Sequence, residues 1–303
     1  MTNVGEGHVG LTVVLPGHRD VSTALRLAWG AATDTGHRRA NNEDSFLARS
    51  PLFVVADGMG GHSAGDLASA AVIHRLAELV GDDFVEPRAI ERALERATAD
   101  ISDVAAESES GVGTTVTGIA LTMHHDEPSF AVFNIGDSRV YRFDAGELTQ
   151  VTVDHSVVQE LVDSGTISRE QADVHPDSNI ITRAVGFDVL PVADFWMIPV
   201  RMGLRMLICS DGLTKELSDD ALQQQLTAGL SAQFTADSLI EAALVAGGRD
   251  NVTAIVVDVL EAPFRHVPDM PPDPDQLIAK PEQIDPDIEQ TAPRTGGSAT
   301  SPQ

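Results

Sequence analysis

The sequence has 303 residues, of which 42% are hydrophobic and 22% are charged, and its formal net charge is -26. This composition is typical of a globular protein that is long enough to bury a large core. The negative charge argues against nucleic-acid binding, which requires a basic surface, and no apolar run is long enough to span a membrane. Because the N-terminus lacks signal-peptide features and Cys209 is the single cysteine, we expect a cytoplasmic protein without disulfides.

Three segments of different character follow one another along the chain. Residues 1–25 show no sustained hydrophobic periodicity, and we predict that they form a loose N-terminal leader. Residues 26–261 contain apolar runs and amphipathic stretches, which predict one folded domain. Residues 262–303 are rich in proline and acidic residues and are predicted to be disordered, because they cannot bury enough apolar surface to offset the entropy of ordering.

Within the predicted domain, strands and helices occur in groups rather than in strict alternation. Short apolar runs predict strands at 52–56, 116–122, 129–135, 138–143, 192–199, 205–210 and 252–260. Apolar residues three and four positions apart predict helices at 64–80, 87–107, 219–230 and 235–247. Because two helices follow each other directly, this order favours packed antiparallel sheets flanked by helices over a doubly wound parallel sheet.

Acidic residues recur at the ends of the predicted strands. They are Glu43 and Asp44 before the apolar run 45–47, Asp57, Asp137 and Asp211 after apolar runs, and Asp250 before the last strand. A single Asp-Gly pair is most often a turn signal, but a sandwich can bring several strand ends together. Carboxylates gathered in one cleft repel each other unless cations lie between them, and oxygen ligands suit Mg²⁺ or Mn²⁺. Cysteine and histidine residues are too few and too poorly spaced for a zinc site.

Eight short motifs lie in order between about residue 27 and residue 260. They are Arg39-Ala40-Asn41-Asn42-Glu43-Asp44, Asp57-Gly58-Met59-Gly60-Gly61-His62, Gly113-Thr114-Thr115, Gly136-Asp137-Ser138-Arg139, Asp154-His155-Ser156, Thr182-Arg183-Ala184-Val185-Gly186, Ser210-Asp211-Gly212 and Gly247-Gly248-Arg249-Asp250-Asn251-Val252-Thr253. This series resembles the PP2C-type (PPM) protein Ser/Thr phosphatases, and the second motif resembles their bacterial branch. The resemblance implies an α+β fold, a four-layer α-β-β-α sandwich with two central antiparallel sheets.

The same resemblance implies a binuclear Mn²⁺ or Mg²⁺ centre at one edge of the two sheets. In that centre Asp57 would bridge both ions, and Asp211 and Asp250 would complete one site. The backbone carbonyl of Gly58, together with Glu43 directly or through water, would serve the other site.

Three further residues are expected around this centre. Asp44 and Asn251 are expected to contact the ligands rather than the ions. Asp137 falls where bacterial relatives bind a third, weaker metal ion together with Asp211. The resemblance therefore implies two ions in the centre and a possible third ion at its margin.

The implied reaction is the hydrolysis of phosphoserine and phosphothreonine by a water molecule that the two cations activate. Arg39, which lies four residues before Glu43, is expected to bind two phosphate oxygens with its planar guanidinium, so Arg39 and Asp57 are the catalytic candidates. Many eukaryotic relatives carry a histidine directly after Asp-Gly, where this chain has Met59, and the general acid is therefore unassigned. Residues 155–186 are expected to form a flap beside the metals.

The implied partners are phosphorylated proteins, in particular a bacterial eukaryotic-like Ser/Thr kinase and its substrates, and we expect the domain to act as a monomer. One alternative is a catalytically silent regulatory or phosphoprotein-binding module of the same fold. Such a module would normally have lost an acid, yet Asp57, Asp211 and Asp250 are all present. A second alternative is a different metallohydrolase, which the order of the motifs and Arg39 oppose.

Overall fold

The computed structural model describes residues 7–14, 22–60, 64–105, 111–172, 174–187 and 190–263. From position 264 onward, the tail that is predicted to be disordered lies outside these residues. Strands within the described ranges are β1 Gly7–Val14, β2 Ser22–Asp34, β3 Asp44–Arg49, β4 Leu52–Met59, β5 Gly113–Thr114, β6 Val116–His124, β7 Glu127–Ile135, β8 Arg139–Asp144, β9 Glu147–Gln150, β10 Asp194–Pro199, β11 Arg205–Cys209 and β12 Val252–Glu261. Helices are α1 Ala64–Ala77, α2 Pro87–Ala105, α3 Val157–Asp163, α4 Arg169–Ala172, α5 Asp211–Thr214, α6 Asp219–Thr227 and α7 Ala232–Ala246.

The strands form two antiparallel sheets. One sheet has the order β1-β2-β12-β11-β8-β9, and the other has the order β10-β7-β6-β4-β3, with β5 paired to β4. Every predicted strand from 52–56 to 252–260 corresponds to an observed strand, with ends that differ by a few residues. The predicted antiparallel arrangement is therefore confirmed.

Alternating side chains of the central strands pack into two different hydrophobic cores. In β4, Phe53 and Val55 point into the core between the two sheets, whereas Leu52 and Val54 pack under α1 and α2. In β12 the core between the sheets receives Ile255, and the opposite face packs under α6 and α7. Since both faces of each sheet are covered, these strands read as continuous apolar runs. The layers are helices, sheet, sheet and helices, as predicted.

The helices cover the sheets with one apolar face each. In α2, Ile90, Leu94 and Ile101 are fully buried, and Pro87 begins the helix at a position where its missing N–H costs nothing. The helix α7 begins after Ser231, whose hydroxyl accepts a hydrogen bond from the Phe234 N–H. No helix in the described ranges is long and apolar enough to cross a membrane.

The N-terminal region differs from the prediction of a loose leader over residues 1–25. Residues Gly7–Val14 form a strand that pairs with the first part of β2, and β2 begins at Ser22. Within β2, Leu25 and Leu27 are fully buried. The sequence of β2 has four alanines and one glycine, which have weak strand propensity, so the pairing of β2 with β12 decides its structure. The prediction is wrong for residues 7–14 and 22–25.

Several strand ends meet at one end of the sandwich. Asp44 at the start of β3 is paired with Asp57 near the end of β4. On the other sheet, β11 ends at Cys209 just before Asp211, and β12 begins just after Asp250. This arrangement places acidic residues that are far apart in sequence at the same end of the two sheets.

Candidate metal centre

A cleft of about 890 Å³ opens at the end of the sandwich where these strands terminate. The predicted metal ligands all line it, namely Glu43, Asp57, Gly58, Asp137, Asp211 and Asp250. Arg39 and Met59 line the same cleft. The residues that the sequence motifs singled out are therefore brought together in one place, from five separate segments of the chain.

Asp57 lies deep in this cleft, and its backbone is held by a neighbouring strand. Its N–H donates to the Thr115 hydroxyl at 3.1 Å, and its carbonyl accepts from the Thr114 hydroxyl at 2.9 Å. Burial raises the pKa of the Asp57 carboxyl well above its usual range, and the charges of nearby acids, above all Asp44 and Asp211, raise it further. An ionised carboxylate at this position requires a positive charge beside it.

Three buried carboxylate oxygens have no hydrogen-bond partner among the described residues. They are the Oδ1 atoms of Asp44, Asp66 and Asp211. A buried carboxylate oxygen without a partner is costly, and such an orphan in a folded protein marks a place for an ion or an ordered water. These oxygens show that the donors in and behind the cleft fit hard cations, which prefer carboxylate and carbonyl oxygens.

Two glycines allow the backbone at the start of α1 to approach β4 closely. A Cβ atom on Gly58 would lie only 2.0 Å from the Gly65 carbonyl oxygen. A Cβ atom on Gly65 would lie 3.0 Å from both the Gly58 carbonyl oxygen and Glu43 Oε1. The Gly58 carbonyl and the Glu43 carboxylate are therefore neighbours, as a shared ion would require. Asp66, the next residue of α1, also raises the pKa of Glu43 after the larger effect of burial.

Asp44 lies behind the cleft rather than in its wall. Its Oδ2 atom accepts hydrogen bonds from the Ser210 hydroxyl at 2.8 Å and from the Thr253 hydroxyl at 2.7 Å. Burial raises the pKa of this carboxyl to about 7, against the lowering effect of the two hydroxyls. Asp44 thus ties β3 to the segments that carry Asp211 and Asp250.

Asn251 clamps the loop that carries Glu43. Its side-chain oxygen accepts from the Glu43 N–H at 2.9 Å, and its amide group donates to the carbonyls of Thr35 and Asn41, both at 2.9 Å. Its own N–H donates to Asp250 Oδ1 at 2.8 Å. Asn251 is thus placed where the sequence analysis expects it, in contact with residues that line the cleft.

Two basic side chains hold acids of the cleft. Arg39 Nη2 donates to Asp250 Oδ2 at 2.7 Å, and the Lys215 ammonium donates to Asp211 Oδ2. Among the described residues, no three acidic, cysteine or histidine side chains are grouped closely enough to enclose a metal ion by themselves. A cation would therefore have to share Asp250 and Asp211 with these two bases.

Asp137 lies in the cleft wall and is almost completely buried, with 9% of its surface exposed. Burial raises the pKa of this carboxyl to about 7, Asp211 raises it further, and the positive charge of Lys215 opposes both effects. The loop that carries Asp137 is held by His155, whose Nδ1 accepts from the Gly136 N–H at 3.1 Å while its Nε2 bonds Asp194 Oδ2 at 3.0 Å. His155 thus has a positioning role.

The segment predicted to form a flap makes one wall of the cleft. Val158, Gln159 and Val162 of α3 line it, and Ser156 caps this helix by accepting from the Gln159 N–H at 3.2 Å. Farther along, 178–181 also contributes to the wall. His62, which the sequence places beside the glycine-rich motif, lies outside the described residues.

Sequence reasoning missed two charged residues of this site. Asp66 gives only the weak signal of an acid in the first turn of the helix that follows the glycine-rich motif. Lys215 gives the signal of a base four residues after Asp211, a spacing that places both side chains on one face of a helix. Neither signal is specific before the strand ends are known to converge.

Comparison with known proteins gives consistent matches. The family profile described as Protein phosphatase 2C matches residues 33–246. The serine/threonine protein phosphatase PstP of Mycobacterium tuberculosis is 42% identical over 243 residues, which are 78% of this chain and 46% of PstP. The serine/threonine phosphatase stp of Listeria innocua is 33% identical over 239 residues, 75% of this chain and 93% of stp. The PstP catalytic domain crystallised with 2 manganese ions matches with a TM-score of 0.69 and 40% identity, covering 78% of this chain and 99% of that one.

These matches agree with the motif order, the two-sheet architecture and the acidic cleft. The chain spans about half the length of the mycobacterial relative, at 46%, and nearly all of the Listeria relative, at 93%. The matched residues 33–246 include Asp57, Asp137 and Asp211, and Asp250 and β12 follow shortly after them. The chain therefore belongs to the protein phosphatase 2C family, in its bacterial branch.

Proposed function

We propose that this protein is a metal-dependent protein Ser/Thr phosphatase that hydrolyses phosphoserine and phosphothreonine with two Mn²⁺ or Mg²⁺ ions. The observation that carries this proposal is that one cleft brings together Gly58 and the five predicted acidic ligands, Glu43, Asp57, Asp137, Asp211 and Asp250. The named relatives are serine/threonine phosphatases, and the catalytic domain of one of them was crystallised with two manganese ions.

The proposed ligands divide between two ions. Asp57 would serve both ions, Asp211 and Asp250 would hold one ion, and Glu43 with the Gly58 carbonyl would hold the other. When bound, such ions lower the pKa of coordinated water and neutralise charge on the phosphoryl group. The chain's own contribution is to hold the acids in a buried, prearranged cluster, so that little reorganisation is needed on binding.

The proposed role of Arg39 is to bind the phosphate of the substrate. Its guanidinium has five N–H donors, and its contact with Asp250 uses one of its nitrogens. About half of the side chain is exposed, at 51%, so a phosphate entering the cleft can reach it. The contact with Asp250 fixes the direction of the guanidinium and couples the phosphate site to a metal ligand.

The catalytically silent module remains the alternative function. It predicts binding of phosphoproteins without release of phosphate. The arrangement of the acids speaks against it, because a binding module has no need of several buried carboxylates with raised pKa values in one cleft, where their repulsion opposes folding. A direct measurement of phosphate release separates the two functions.

We further propose that the substrates are cytoplasmic phosphoproteins made by a eukaryotic-like Ser/Thr kinase, and that the domain acts as a monomer. The buried single cysteine, Cys209, is compatible with a reducing compartment.

The test of this proposal is the metal dependence of phosphate release. The purified chain is expected to hydrolyse p-nitrophenyl phosphate and a phosphothreonine peptide when Mn²⁺ is present. Excess EDTA is expected to abolish both activities, and renewed Mn²⁺ is expected to restore them, because the acids hold the ions reversibly. Tight binding of the phosphopeptide without any release of phosphate would favour the silent module instead.

Replacing Arg39 by lysine tests the phosphate-binding role. We expect kcat/KM for the phosphothreonine peptide to fall by roughly ten- to a hundredfold, since lysine cannot form two parallel hydrogen bonds to a phosphate and charged hydrogen bonds contribute about 1.5–3 kcal/mol. The matched control is Arg38→Lys, because Arg38 is an exposed neighbour that does not line the cleft. Equal kcat/KM values for both variants would contradict the role.

A further inference from the structure

Lys215 brings a fixed positive charge to the margin of the acidic cleft. It follows directly after α5, and its N–H donates to the Asp211 carbonyl at 2.8 Å, so the side chains of residues 211 and 215 share a face. Its ammonium donates to Asp211 Oδ2, and 34% of the side chain is exposed. Lys215 and Lys280 are the two lysines of the sequence, and Lys280 belongs to the proline-rich tail.

The two carboxylate oxygens of Asp211 have different surroundings. Its Oδ2 atom is held by Lys215, whereas its Oδ1 atom is buried and has no hydrogen-bond partner among the described residues. The free oxygen is the one available to the two-ion centre. An additional ion shared between Asp211 and Asp137 would have to compete with the Lys215 ammonium for Oδ2, or share the Oδ1 atom with the two-ion centre.

The charges around Asp137 also favour Lys215 as its positive neighbour. Asp137 and Asp211 repel each other, and Lys215 attracts both of them, together with Asp250. The other basic groups that line this part of the cleft have partners elsewhere. Arg249 is bound to Glu216 at 2.9 Å, and Arg139 is bound to Asp154 at 2.7 Å.

We propose that the Lys215 ammonium takes the place of a third divalent cation at Asp137 and Asp211, so that the centre binds two ions and excludes a third. The inference rests on the proposed two-ion function, and it adds that the number of bound ions is limited to two. A divalent ion entering this position would meet a like charge at close range in a partly buried site, where Coulomb repulsion is several-fold stronger than in bulk water.

The test counts bound Mn²⁺ per chain by equilibrium dialysis and by electron paramagnetic resonance of free Mn²⁺. The wild type is expected to bind two ions up to millimolar Mn²⁺. Lys215→Gln is expected to bind a third ion at least about tenfold more tightly than any third site of the wild type, because the competing charge is gone. Lys215→Arg keeps the charge and is expected to stay at two ions.

Two control variants test whether the third ion binds at Asp137 and Asp211. Arg249→Gln removes a positive charge from the same cleft wall but away from the Asp137–Asp211 pair, and it is expected to stay at two ions. Asp137→Asn added to Lys215→Gln is expected to abolish the third ion. The proposal is overturned if Lys215→Gln and the wild type bind the same number of ions with the same affinities. Absence of Mn²⁺ binding in every variant would overturn the proposed function together with it.

Discussion

Replacing Asp57 by asparagine is expected to reduce turnover of the phosphothreonine peptide by about a thousandfold or more, equivalent to about 4 kcal/mol of transition-state stabilisation. The reason is that Asp57 is the acid that we propose to serve both ions, and an amide is a much weaker ligand for a hard cation. The measurement is kcat/KM at saturating Mn²⁺, with the number of bound ions determined on the same sample. Unchanged kcat/KM would exclude Asp57 from the reaction.

The same substitution is expected to stabilise the protein in EDTA. Asp57 is buried among acids that raise its pKa, so its ionised form opposes folding, and asparagine removes that charge at nearly constant volume. We therefore expect a higher Tm for the variant than for the wild type in EDTA, and a smaller increase when Mn²⁺ is added. A lower Tm in EDTA would contradict the repulsion among the acids.

Asp258→Asn is the matched control, because it makes the same chemical change outside the cleft. Asp258 pairs with Arg205 at 2.6 Å between two strands of one sheet. Removing this pair is expected to lower the free energy of unfolding by about 1–3 kcal/mol while kcat/KM stays unchanged. Asp57→Asn is thus expected to lose activity while gaining stability in EDTA, whereas Asp258→Asn is expected to keep activity while losing stability.

The second large effect is the dependence of stability on pH and on Mn²⁺. Asp44 and Asp137 have pKa values of about 7 in the folded protein, against an ordinary value of 3.8. Between these values the folded state keeps protons that the unfolded chain has released. In EDTA the free energy of unfolding is therefore expected to fall as the pH rises from about 4 to about 7. Denaturant titrations at a series of pH values measure this slope.

Mn²⁺ is expected to reverse much of that loss. Because the ion binds ionised carboxylates of the folded state, its stabilising effect grows as these groups lose their protons. At a free concentration of 100 Kd it contributes about 2.7 kcal/mol, which raises the Tm of a domain of this size by roughly 5–10 °C. The increase is expected to be larger above about pH 7 than below about pH 5.

Asp137→Asn is the control for this pH dependence. The substitution removes one of the groups with a raised pKa, so the slope in EDTA is expected to become shallower. A Tm that does not respond to Mn²⁺ at any pH would contradict the metal centre. Asp194 acts in the opposite sense, because its hydrogen bond with His155 lowers its pKa, and its contribution is lost only at acidic pH.

Most of the fold is predictable because the central strands are buried on both faces. The run 52–56 is continuous and apolar, the run 252–260 is interrupted only by Thr253 and Asp258, and this signal can be read from the sequence alone. The strand β2 lacks such a continuous apolar run. Its alanines and its one glycine favour a strand only weakly, so β2 depends on pairing with β12. At Gly30, for example, a Cβ atom would lie 2.2 Å from Gln233 Cα, so the small residue serves the packing of α7.

The acids of the site are predictable as a group, but their partners are not. Asp57 and Asp211 can be placed at strand ends from the sequence alone, and the motif order relates them to each other. The contact of Arg39 with Asp250 and that of Lys215 with Asp211 depend on side-chain directions that only the assembled cleft defines. The orphaned oxygen of Asp66 likewise requires knowledge of burial on all sides.

The clamp made by Asn251 and Thr253 has a consequence for the timing of biosynthesis. Asn251 binds the Glu43 N–H and Thr253 binds Asp44, across 208 and 209 positions of the sequence. Thr253 belongs to β12, which lies in the interior of its sheet, between β2 and β11. A nascent chain therefore cannot complete the cleft until almost the entire domain has left the ribosome. A chain truncated before Asp250 is therefore expected to lack the phosphatase activity that we propose.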